Sequence, residues 1–91
     1  MPRTNAKAQY KQEFIERVRL ARASTDMRQE DVAEAMNIKQ DEYKHWEILG
    51  PKGRVIPHHR IDQFCAACEV DTVWLITGRG RMKIVKQRAA G

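Results

Sequence analysis

Ninety-one residues, 42% apolar and 32% charged, suit one small domain around a single core. No apolar run approaches the roughly 20 residues that cross a bilayer, and MPRTNAKAQYKQE lacks the apolar segment of a secretory signal, so a cytoplasmic protein with no membrane association is expected. The net charge of +5 invites a nucleic-acid partner but is unevenly placed: residues 1–23 carry six basic and two acidic groups, 28–54 five and six, 55–78 one and three, and 79–91 five and none.

No run of β-branched or aromatic residues alternates with polar ones, so an all-α fold is expected. Residues 1–9 have no periodicity and read as a flexible N-terminal arm. From Tyr10 to Ser24 the pattern is helical: Phe14, Val18 and Ala21 recur at i, i+4 and i+7. Lys11, Glu13, Glu16, Arg17 and Arg19 occupy the other sides. A second helix is predicted over Gln29 to Met36, with Val32, Ala33 and Met36 inward and Glu30 and Asp31 in the first turn, where the dipole favours them. Asn37 tolerates a left-handed backbone and makes the turn. A third helix is predicted over Gln40 to Leu49, with Tyr43 and Trp46 inward. Arg28 and Lys39 stand at the two N-cap positions and cannot accept a hydrogen bond, at a cost of about 1 kcal/mol each. Gly50-Pro51-Lys52-Gly53 stops the third helix. Pro57 suits the first position of a fourth, ending near Glu69, with Ile61, Phe64, Cys65 and Cys68 as its core stripe. Asp71 caps a short fifth helix, Thr72 to Thr77, closed by Gly78. Residues 79–91 form a basic C-terminal tail with an apolar patch from Met82 to Val85.

The stretch RQEDVAEAMNIKQDEYKHWE, Arg28 to Glu47, places two short amphipathic helices around a tight turn. The order and spacing from Arg22 to Glu47, with the ending VDTVWLITG at Val70 to Gly78, resemble the phage-repressor/Cro (XRE) family of DNA-binding domains. The resemblance implies a compact five-helix lambda-repressor-like helix-turn-helix domain over residues 10–78, double-stranded DNA as partner, a homodimer, and transcription regulation. It implies that Gln29, opening the second helix, contacts a phosphate and the base-reading helix. It pairs Arg22 with Glu47 as a structural bridge. It places base readers at Lys39, Gln40, Asp41, Lys44 and His45, and phosphate contacts at Lys52 and Arg54. Gln40 suits adenine N6 and N7, and Asp41 can only accept, as from a cytosine amino group. The sequence departs from the family at Asn37, where a turn glycine is usual. Arg28 and Lys39 replace small hydroxyl caps and exchange helix stability for phosphate contact. Asp41 and Glu42 put carboxylates at the start of the reading helix.

Other constellations imply less. Cys65 and Cys68, with His58 and His59 upstream, spell HHx5CxxC. One helix cannot easily wrap four ligands around zinc, so buried structural cysteines, no metal and no cofactor are expected. No glycine-rich phosphate loop and no catalytic triad is present, so no catalytic residue is expected. The tail is read as solvated, as tracking a DNA backbone, or as packing Met82, Ile84 and Val85 on a partner subunit. Two rival functions stay open: a protein-interaction module on the same fold (an antitoxin or adaptor), motivated by the near-neutral motif, and a thiol or zinc sensor.

Overall fold

Phe14, Val18 and Ala21, the periodic stripe of the first helix, are fully buried, and the remaining helices pack around them. The computed structural model describes residues 6–84. It contains α1 (Ala6–Ala23), α2 (Gln29–Ala35), α3 (Gln40–Lys44), α4 (Ile61–Cys68) and α5 (Thr72–Thr77). A 3₁₀ turn, His45–Glu47, continues α3, and another, His58–Arg60, leads into α4. Among the described residues the sole β pairing is an isolated antiparallel bridge between Val70 and Lys83. The chain is all-α, and no described helix is long and apolar enough to cross a membrane.

The centre of the core is aromatic. Tyr43 meets Trp46 edge-on at 5.6 Å and stacks on Phe64 at 6.3 Å. Val32, Ala33 and Met36 from α2, with Ile61, Phe64, Cys65 and Cys68 from α4, close around it. Arg17, placed by periodicity among the outward side chains, instead spans to α5. Its Nε donates to Leu75 O at 2.7 Å and its Nη2 to Ile76 O at 3.1 Å. The cation thus satisfies orphan carbonyls at the negative end of α5. Asp71 caps the other end through Trp74 N–H at 3.0 Å, and Gly78 closes the helix at φ 78°.

Four expectations need correction. First, α1 starts at Ala6 rather than Tyr10: Ala6 to Gln9 are good helix formers that extend the helix without an apolar stripe. Residues 1–5 of the expected arm lie outside the described residues. Second, α3 gives way to 3₁₀ geometry and ends at Glu47, not Leu49. The carbonyl of His45 is taken by Arg54 N–H at 2.8 Å instead of by the next helical turn, and Ile48 is extended. Third, Pro57 precedes the 3₁₀ turn rather than opening α4: Arg60 N–H bonds to its carbonyl at 2.8 Å. Fourth, the described part of the tail folds back on its own chain. Asp71 N–H bonds Met82 O at 2.8 Å, Ile84 N–H bonds Glu69 O at 3.2 Å, and Lys83 Nζ donates to Cys68 O at 3.0 Å. Met82 packs on the core of its own chain. Val85 lies outside the described residues.

Candidate nucleic-acid interface

Residues 36–39 set how α2 meets α3. Asn37 takes φ 57°, Ile38 N–H reaches back to Ala33 O at 3.0 Å, and Asn37 N–H to Glu34 O at 3.0 Å. These are the two bonds of a Schellman cap, and Ile38 adds its apolar contact with the core. Asparagine serves here because its side chain lowers the penalty of the left-handed conformation. α3 then starts from an extended Lys39 that makes no side-chain cap bond.

Glu47 ties the pair to α1. It is 7% exposed, yet it accepts from Arg22 Nε at 2.6 Å, Arg22 Nη2 at 3.0 Å and Gln29 Nε2 at 3.2 Å, and from the Tyr43 hydroxyl. Arg22 Nη1 also donates to Met27 O at 3.2 Å, just ahead of α2. Burial alone would push the Glu47 carboxyl up. The bonds from Arg22, Tyr43 and Gln29 outweigh it and hold the carboxyl below its usual range. Burial, then the bond to Glu47, drives the Tyr43 hydroxyl far up, so it stays protonated and donating. Gln29 is thus an anchor within the pair: its amide N–H₂ donates to Glu47.

With Tyr43 and Trp46 held in the core, the opposite face of α3 is exposed. Lys39, Gln40, Asp41 and Lys44 stand in solvent and His45 is half-buried. His45 Nδ1 lies 2.8 Å from the Asp41 carbonyl. A carbonyl only accepts, so Nδ1 is the donor in this bond. Lys44 Nζ sits 3.1 Å from Asp41 Oδ1; this bond and the lysine charge hold the Asp41 carboxyl below its usual range. Arg28 pairs likewise with Glu30 at 2.8 Å and Asp31 at 3.6 Å, and Asp31 accepts the Arg28 backbone N–H at 2.8 Å. That last bond supplies, from the other side, part of the cap that arginine lacks. Among the described residues, Lys39, Lys52 and Arg54 make no ion pair. The cations of this surface therefore fall into two sets: Arg28 and Lys44 paired with neighbouring carboxylates, and Lys39, Lys52 and Arg54 without an ion pair among the described residues.

Lys52 and Arg54 flank Gly53, which is buried. A Cβ on Gly53 would sit 1.8 Å from Ile48 O, so only glycine allows the loop to fold this tightly. Sequence reasoning read this glycine as a helix stop; its closeness to Ile48 has no local signature. It also read Tyr43 as core alone and missed its bond to Glu47, although the i, i+4 spacing of the two was visible.

Cys65 and Cys68 are buried free thiols on the packed face of α4. Burial pushes both up, Cys68 to about 11, which keeps them as protonated, weakly nucleophilic core residues. His58 and His59 are exposed on the preceding turn. No protein-family model, no curated protein and no solved structure matches the chain.

Proposed function

We propose that the chain is a sequence-specific DNA-binding transcriptional regulator on a lambda-repressor-like helix-turn-helix fold, acting inside the cell as a homodimer. α2 and α3 are its helix-turn-helix, and the start of α3 enters the major groove. One observation carries the reading. α3 buries Tyr43 and Trp46 while presenting Lys39, Gln40, Asp41 and Lys44 to solvent, and the Arg22–Glu47–Gln29 bridge fixes its angle to α1 and α2. Gln40 makes the bidentate contact to adenine. Asp41, with Lys44 beside it, accepts from a cytosine amino group while Lys44 screens it from the nearest phosphate. Lys39, Lys52 and Arg54 bind phosphates on either side and set register. The protein binds rather than catalyses.

Selection of duplexes from a random pool at low salt tests the reading. The expected result is an enriched sequence arranged as two related half-sites about one helical turn apart. Recovery of no enriched duplex overturns it. A second reading, a protein-interaction module such as an antitoxin or adaptor on the same fold, is favoured by the pairing of Arg28 and Lys44 with acids, which leaves little free charge on the motif. It predicts a stable complex with a second protein and only salt-labile, sequence-independent DNA binding.

A further inference from the structure

α1 outruns the core. Its buried residues are Phe14, Ile15, Val18 and Ala21, and the same side continued toward the N-terminus falls on Lys11 and Lys7. At about 100° per residue these two lie about 40° apart around the axis, whereas Glu13 and Glu16 lie about 140° and 160° from their midpoint. Ile15 packs against the loop after α3 at Gly53, and one and two turns before it α1 carries Lys11 and Lys7. Two adjoining surface hollows lie between this end of α1 and the loop: one is lined by Lys7, Ala8, Tyr10, Lys11 and Val55, the other by Ala8, Lys11, Gln12, Ile15, Gly50 and Pro51. No carboxylate lines either. Val55 follows Arg54, whose backbone N–H is fixed to His45 at the end of α3. Lys7 and Lys11 thus stand across these hollows from the loop that carries Lys52 and Arg54. Among the described residues none of these four cations makes an ion pair.

We propose that Lys7 and Lys11, with Lys52 and Arg54, form a phosphate-binding ridge that grips the backbone of the duplex beside the groove read by α3. The inference rests on the DNA-binding reading. Among the described residues these four cations have no ion pair to give up on meeting a phosphate, unlike Arg28 and Lys44. Lys7 and Lys11 are about 6 Å apart along the helix axis, far enough to meet separate phosphates. Backbone contacts of this kind carry affinity and register but no base choice.

Each phosphate neutralised contributes about 0.9 to the slope of log K against log salt. The test is that slope for a duplex chosen by selection, measured for the full chain and for the Lys7→Gln/Lys11→Gln and Lys7→Arg/Lys11→Arg variants. The expected result is a slope shallower by about 2 for the glutamine pair, with an unchanged selected sequence and a wild-type slope for the arginine pair. An unchanged slope in the glutamine pair, with the wild type binding, overturns the ridge and leaves the DNA-binding reading standing. Absence of any wild-type binding to duplex at low salt overturns both. A glutamine pair that alters the selected sequence also overturns the ridge, because base choice would then depend on these lysines. Lys7 is exposed and Lys11 half-buried, and a helical circular dichroism spectrum equal to wild type checks the fold.

Discussion

Glu47 is the residue on which the α2–α3 arrangement depends most. Four hydrogen bonds from three side chains converge on a carboxylate that is 7% exposed. Glu47→Gln leaves Arg22 facing an amide, and the loss of a buried pair's charge should cost about 3 kcal/mol in urea unfolding. The folded carboxyl lies below its unfolded value, so its contribution is complete above about pH 4.3 and lost as pH falls through the lower folded value. Wild type should therefore show a loss of stability below about pH 4.3 that Glu47→Gln lacks. Lys39 makes the opposite case. It caps nothing, so Lys39→Ser should raise stability by about 1 kcal/mol while weakening binding to every duplex, measured by thermal unfolding and fluorescence anisotropy. Much of this scale was legible in the residues. The family resemblance implied the Arg22–Glu47 bridge and a contact from Gln29 to the third helix, and the structure joins all three. The Tyr43 hydroxyl was not legible, because an aromatic at an inward position says nothing of where its polar end goes.

At the level of elements, periodicity located α1 to α4 and the caps Asp71 and Gly78 located α5, but not every end was legible, and neither 3₁₀ turn was. Inward residues such as Val32, Tyr43 and Phe64 are set by a period that long-range contacts do not alter. Ends are decided by which group takes the last carbonyls, and that partner is often remote. Arg54 takes the His45 carbonyl and Arg17 takes those of Leu75 and Ile76, across intervals no local pattern records. The return of residues 82–84 onto Glu69–Asp71 was hidden for the same reason, since one bridge leaves no alternating run. The loop from Ile48 to Arg54 is the element most sensitive to a single atom. Gly53→Ala would put a methyl group 1.8 Å from Ile48 O, so the loop must open. We expect a loss of about 3 kcal/mol in unfolding experiments. Duplex affinity should also fall, since Lys52 and Arg54 would lose their placement.

Across the whole molecule, shape and charge are divided between different parts. Residues 28–54 hold the proposed reading helix but carry five basic and six acidic groups. Among the described residues, Lys52 and Arg54 in the loop and Lys7 and Lys11 at the start of α1 are among the cations that make no ion pair. Base choice then belongs to α3, and affinity to surfaces around it, so changes to one should leave the other intact. Segment charge was readable from the sequence, whereas the meeting of α1 with the loop required the fold. The central claim is that the exposed start of α3 reads bases. Its most direct test is duplex selection run in parallel on wild type and Gln40→Ala. The account predicts an enriched two-half-site sequence for wild type and loss of preference at one position in each half-site for the variant, with the rest of the sequence retained. An identical enriched sequence from both proteins, or none from wild type, would contradict it.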